Sequence, residues 1–355
     1  MRRLPSSKNL GSWSRRSVLR AAGGSAVAIA AVGMPTIARA APPLIRYATG
    51  GGIGPNEIET VIYLPWMQKN VLKHYGKEYD LKVTFTRGTP EAASLIAAGQ
   101  CDMGTLSFAI FAASVLKDVV PGGMSIVSDI FQDARPGFKS NAYFVLDSSP
   151  IRKVADLKGK TIGINAFGSA VDLVVRVVLK KNGLDPKKDV QIVEVPFPSM
   201  GPAIREKRVD CGAMVLPFMA AEEKKGGLRS LFTDADAFGP FSVIFQVSTN
   251  SFLKQNTAAV RAYLDDYVRG LHWLYDPANR KKAIEITAAF VKSPPETVGA
   301  YFLTANDYYR DHNACLKPAL LQGPVDAMVK EGFLSGKVDM GKYLNTSYLP
   351  NACPA

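Results

Sequence analysis

The sequence predicts an α/β protein of two lobes, with a cleft between two open, mainly parallel sheets joined by two crossover segments. Three observations carry that prediction. Short apolar strands alternate with amphipathic helices along most of the chain, the pattern of parallel sheets covered by helices. A long-range echo pairs Asp102-Met103-Gly104, with Ala112-Ala113 downstream, with Asp210-Cys211-Gly212, with Ala220-Ala221 downstream, as two related lobes would. The clearest strand-to-helix unit, 154–183, passes from a charged turn into a strand at 161–165, breaks at Ala166-Phe167-Gly168 and enters a helix at Ser169. In that helix Leu173, Val174, Val177 and Val178 share a face, and Asn182-Gly183 ends it.

Taken in order, a strand over 44–49 leads into a Gly-rich bend at 50–55. A helix over 57–75 follows, with Pro65 as a kink. After a strand at 81–86, Thr89-Pro90 opens a helix with proline at its start, where a missing N–H costs nothing. The strand-to-helix step repeats at 102–106 and Ser107 onward, and 141–146 carries the chain to the second lobe. That lobe holds the 161–165 strand, a strand at 190–195, a helix after Ser199, the Asp210 strand and a helix after Pro217. The segment 242–249 crosses back, and helices at 259–275, 281–290, 295–307 and 320–331 are expected to wrap the first lobe.

The 355 residues carry a formal charge of +12, but residues 1–40 hold seven basic side chains and no acid. What remains is a mild surplus without a basic stripe interleaved with aromatics, so nucleic acid is not expected as a partner. A weak positive field suits attraction of anions to a cleft. Ser14-Arg15-Arg16-Ser17-Val18-Leu19-Arg20 resembles a twin-arginine export signal, with Val18 where phenylalanine is usual. A short Gly/Ala-rich apolar run and Ala38-Arg39-Ala40 follow, so 1–40 is expected to be a cleaved leader. An apolar content of 47% is enough for two sizeable cores in the remainder.

Leu157-Lys158-Gly159-Lys160-Thr161-Ile162-Gly163, then Gly168-Ser169, then Leu184-Asp185-Pro186, resembles the start of the second lobe in solute-binding proteins of ABC transporters. The nearest class is that of nitrate, sulfonate and taurine binders, which includes binders of thiamine pyrimidine precursors. The resemblance implies a type II periplasmic binding protein, with lobe 1 at 41–143 and 246–355 and lobe 2 at 144–245. It implies a monomer in the periplasm with no cofactor, which captures a small organic anion (a sulfonate, a taurine-like compound or a carboxylate) and hands it to an inner-membrane ABC permease and its ATPase. An enzyme or a pyrimidine-precursor binder on the same scaffold, and a receptor for another transporter type, stand as alternatives.

Chemical motifs are few. Gly50-x-Gly52 is followed by Pro55 where a dinucleotide loop needs its third glycine, and no Gly-Lys-Ser/Thr follows. Gly51 and Gly52 then either line a ligand cleft or form a plain tight turn. His74, His272 and His312 sit in helical or helix-end stretches without metalloprotease spacing, and no nucleophile elbow occurs. Cys101 and Cys211 flank the echoed aspartates and read as small buried hydrophobes, whereas Cys315 and Cys353 are expected to pin the tail as a disulfide in an oxidising compartment.

Ligands of open α/β sheets gather at loops that follow strands. The candidates there are Gly51, Gly52, Thr89, Ser107 and Phe108 in the first lobe, and Phe167, Gly168, Ser169, Ser199, Pro217 and Phe218 in the second. Hydroxyls and helix-start amides would hold an anionic head, and aromatics would cover an apolar body. The same aromatics also suit the core, and Ser169-Ala170-Val171-Asp172 also reads as a plain capping box. Arg87 and Arg135 are the candidate anion-pairing cations.

Overall fold

The computed structural model describes residues 41–50 and 57–353, so the predicted leader, Gly51 and Gly52 lie outside the described residues. The strands in chain order are β1 (Leu44–Ala48), β2 (Asp80–Thr84), β3 (Met103–Ser107), β4 (Met124–Asp133), β5 (Ala142–Leu146), β6 (Thr161–Ile164), β7 (Gln191–Glu194), β8 (Cys211–Met214), β9 (Leu228–Thr233) and β10 (Phe241–Thr249). They form two five-stranded sheets of matching order, β2-β1-β3-β10-β4 and β7-β6-β8-β5-β9. In each sheet four strands run one way. The reversed one, β10 in the first and β5 in the second, is the strand that arrives from the other lobe. The chain therefore crosses twice, between β4 and β5 and between β9 and β10, and the fold is the two-lobed α/β architecture that the alternating pattern predicts.

The echoed aspartates do the same job in both sheets. Asp102 N–H donates to Arg46 O at 2.8 Å while its carboxylate accepts from Arg46 N–H at 3.0 Å. Asp210 N–H donates to Thr161 O at 2.8 Å and its carboxylate accepts from Thr161 N–H at 2.9 Å. Each pair sets the register at the start of the central strand. The glycine two residues on has no room for a side chain: a Cβ on Gly104 would lie 2.6 Å from Ala48 O, and one on Gly212 would lie 2.6 Å from Met200 Sδ.

The C-terminal helices pack on the first sheet. Thr257–Tyr275 buries Tyr263, whose ring stacks on Tyr63 at 5.0 Å. Its fully buried Asp266 accepts from the N–H groups of Lys73, His74 and Tyr75 and from the Tyr79 hydroxyl. Those bonds hold 73–79 in a turn, which is why the helix expected to reach residue 75 stops earlier. Pro65 breaks that helix rather than bending it: Glu59–Ile62 ends, and Pro65–Asn70 starts anew with the proline at its first position.

The helix expected over 295–307 also shrinks, to Pro295–Gly299. Beyond it Leu303 takes a left-handed backbone, and the Asp307 carboxylate accepts Leu303 N–H at 2.8 Å and pairs with buried Arg310 at 2.9 Å. Strands β4 and β9 have no counterpart in the sequence reading. In β4 the apolar alternation is interrupted by Ser128, Asp129, Gln132 and Asp133, all buried. Cys315 and Cys353 are joined by a disulfide with Cα atoms 5.4 Å apart, and Cys101 and Cys211 are buried and free.

Candidate functional site

The carboxyl ends of β1 and β3 in the first sheet face those of β6 and β8 in the second, and two connected spaces lie between them. The inner chamber encloses about 60 Å³ of accessible space, enough for a few water-sized groups. Its polar walls are Gly50, Glu57, Thr89, Ser107 and Asn141 on one side and Asn165 and Ser169 on the other, with Phe131, Phe197, Val215 and Val243 among its apolar walls. Toward solvent it gives way to a vestibule of about 820 Å³, lined by Arg87, Gly88, Phe167, Glu194, Phe197 and Phe218 among others.

Two helix starts converge on the chamber. Ser107 ends β3 and caps Phe108–Leu116, its Oγ accepting Ile110 N–H at 3.3 Å while sharing a 3.1 Å bond with the Thr89 hydroxyl. Ser169 caps Ala170–Lys181, its Oγ accepting Asp172 N–H at 3.3 Å and donating to Asn165 Oδ1 at 3.0 Å. Asp172 reaches back to Gly168 N–H at 2.8 Å, one residue earlier than a capping box requires, and grips Arg176 at 2.6 Å. Each capping serine thus makes two bonds, one to the backbone of its own helix and one to a second chamber residue, Thr89 or Asn165.

The described residues that line the chamber include no lysine, arginine or histidine, and they include one acid. Glu57 is buried, with one carboxylate oxygen accepting Gly50 N–H at 2.7 Å. Burial pushes its carboxyl well above the usual range, and the neighbouring Glu59 raises it further. Gly50 must be glycine here, since a Cβ would sit 2.7 Å from Thr89 Cγ2 and 2.9 Å from Thr105 O.

At the crossing, Asn141 joins the chamber to both lobes. Its side-chain amide donates to Asp234 at 2.9 Å and its carbonyl accepts from the Tyr308 hydroxyl at 2.5 Å; that hydroxyl in turn accepts Leu216 N–H at 2.9 Å. Asp133, which accepts Asn141 N–H at 3.0 Å, is pushed up to about 6 by burial. Asp234 lies well above the ordinary range, first through burial and then through the Asp133 charge.

Of the residues singled out in the sequence, Thr89, Ser107 and Ser169 meet in the chamber, and Arg87, Phe167 and Phe218 meet in the vestibule. Phe108, Gly168, Ser199, Pro217 and Arg135 line neither space. Phe108 is fully buried against Phe238 and Phe241, and Ser199 is exposed within the helix Phe197–Arg205. Arg135 donates to Gln132 at 2.7 Å and lies over the Tyr309 ring, while Arg87 is 91% exposed and paired with Glu91. Glu57, Asn141 and Asn165 were not singled out. Asn165 follows β6 directly and was legible by the rule that flagged Ser169; Glu57 and Asn141 enter the chamber through tertiary placement alone.

These features define a two-lobed α/β protein with a walled cleft of mixed polarity between the lobes. Residues 66–288 match the NMT1-like family, and the chain belongs to that family. The putative aliphatic sulfonates-binding protein of Escherichia coli (strain K12) is 24% identical over 280 residues, covering 76% of this chain and 80% of that protein. The alkanesulfonate-binding protein SsuA from Xanthomonas axonopodis pv. citri, solved bound to MOPS, aligns with a TM-score of 0.66 at 18% identity, over 85% of this chain and 98% of that one. The periplasmic nitrate-binding protein NrtA from Synechocystis PCC 6803 aligns with a TM-score of 0.66 at 13% identity, over 86% of this chain and 87% of that one. At these identities the structural likeness concerns the fold.

Proposed function

We propose that this protein is the solute-binding component of an ABC importer, which captures a small organic acid between its lobes by hinge closure. The observation that carries this reading is the inner chamber, whose walls come from both lobes and include the starts of two helices capped by Ser107 and Ser169. Helix-start amides and hydroxyls favour an anionic group without a fixed cation, and a chamber of this size holds the head of a sulfonate or carboxylate. The aromatic vestibule, with Phe167 half-exposed at 49%, suits whatever apolar body the solute carries.

In this reading lobe 1 comprises 41–143 and 246–355, lobe 2 comprises 144–245, and the two crossings flanking Asn141 and 234–240 act as the hinge. A solute that touches both lobes stabilises the closed state by its differential affinity for that state. The protein works as a monomer in the periplasm, reached through its twin-arginine leader, delivers its cargo to a permease and ATPase, and makes no covalent change to it. Support comes from the family membership and from the sulfonate- and nitrate-binding names of the relatives. Isothermal titration with taurine, isethionate, MOPS, benzoate and nitrate tests the proposal. Saturable one-to-one binding of at least one is expected; silence across a broad panel of organic acids would overturn it.

A further inference from the structure

The wall of the inner chamber around Glu57 has a charge problem that an anionic solute alone does not solve. Glu57 and Glu59 are fully buried, and burial first and the neighbouring Glu59 second push the Glu57 carboxyl well above its usual range. Two buried carboxyls side by side disfavour each other's ionised form, and a cation that meets them favours it. The groups that surround the pair are neutral: Gly50 N–H on Glu57, and the Thr105 hydroxyl at 2.8 Å and the Tyr47 hydroxyl at 3.4 Å on Glu59. The second oxygen of Glu59 is buried without a partner among the described residues, and none of the described chamber residues is a cation. A buried charge without a counter-charge is costly, and Glu57 lines the chamber, where a counter-charge can arrive with the solute.

We propose that Glu57, backed by Glu59, is the specificity-determining contact for a protonated amine, so that the captured organic acid is a zwitterion. This rests on the solute-binding reading above: the acid group sits against the helix starts and the ammonium group against Glu57. The ammonium supplies the positive charge that the chamber lacks, with three donors for acceptor-only oxygens. A solute with a hydroxyl or methyl in that place leaves the pair uncompensated.

Matched solutes test this by calorimetry on the whole exported protein: taurine against isethionate and ethanesulfonate, and β-alanine against 3-hydroxypropionate and propionate. Within at least one set the amine is expected to bind about 10- to 100-fold tighter than its amine-free partners, as a charge-assisted bond implies. Glu57→Gln, nearly isosteric, is expected to reduce that preference to under about threefold. Amine-free partners that bind as well as the amines overturn the proposal and leave the solute-binding reading standing. Silence of both sets and of every other acid overturns that reading, and this proposal with it. If Glu57→Gln does not fold by circular dichroism, the wild-type ratios decide alone, and Glu57→Asp, which keeps the charge, is expected to retain the preference for the amine.

Discussion

A wedge at the rim of the cleft tests whether lobe closure holds the solute. Gly88 lies in the first lobe just before the helix Thr89–Ala97, with an extended backbone (φ 173°, ψ 167°) that any residue adopts without strain. A Cβ there would stand 3.4 Å from Asn165 Nδ2 and 3.5 Å from Ala166 Cβ, both across the cleft. Alanine therefore fits at ordinary contact distance, while leucine drives three further carbons against Asn165 and Ala166 or into the vestibule that a bound solute would share. Overpacking of this kind costs about 1–3 kcal/mol. In a closed state that is the binding-competent one, the cost converts to a loss of affinity of roughly 5- to 150-fold. Gly88→Leu is expected to show that loss by calorimetry with the tightest solute of the anion panel, and its radius of gyration with solute present is expected to stay at the open value. Melting of the solute-free protein should move by less than about 2 °C, because opening relieves the clash. Gly88→Ala should match the wild type. Unchanged affinity and unchanged scattering in Gly88→Leu would refute the closure argument, as would a large fall in melting temperature without solute.

Three further outcomes follow from the fold. Asp307→Ala removes the carboxylate that faces fully buried Arg310 and caps Leu303 N–H, and urea unfolding should show a loss of about 3–5 kcal/mol. Cys353→Ser opens the cross-link to Cys315, a sequence separation of 38, and by loop entropy should cost about 4 kcal/mol, matched by adding a reductant to the wild type. Asp133, raised to about 6 by burial, binds its proton more tightly in the folded than in the unfolded chain, so its stabilising contribution is present on the acid side and fades as pH climbs through about 6. Urea titrations at pH 5 and pH 7.5 should therefore show a smaller drop in stability for Asp133→Asn than for the wild type, and an equal or larger drop would contradict the assignment.

Periodicity and turn chemistry made much of this architecture legible. The β6 unit ends in its serine cap where the sequence places it, because apolar spacing, Gly168 and Ser169 all favour the same local structure. The paired Asp-x-Gly segments could be read as a lobe echo because each aspartate meets the same need, tying the start of a central strand to its parallel neighbour. Where the reading failed, tertiary structure had satisfied polar groups that no local pattern reveals. Asp129 in β4 is buried against Ser242 and Gln132, partners in a strand more than a hundred residues away and within β4 itself, so the segment does not alternate like a strand. Helix 57–75 was overextended because Asp266, nearly two hundred residues distant, claims the amides of 73–75. The site shows the same division. Ser107, Ser169 and Thr89 follow strands and carry a local signal, but Glu57 reads as a helix-start acid until folding closes it off beside Glu59.

A crystal structure of the protein grown with saturating taurine, or with the tightest solute of the panel, decides whether both lobes hold the solute. One solute molecule is expected in the chamber, bonded on one side by Ser107 or Thr89 and on the other by Ser169 or Asn165, with its amine against Glu57. A solute held by one lobe alone, or bound outside the space between the sheets, would contradict it.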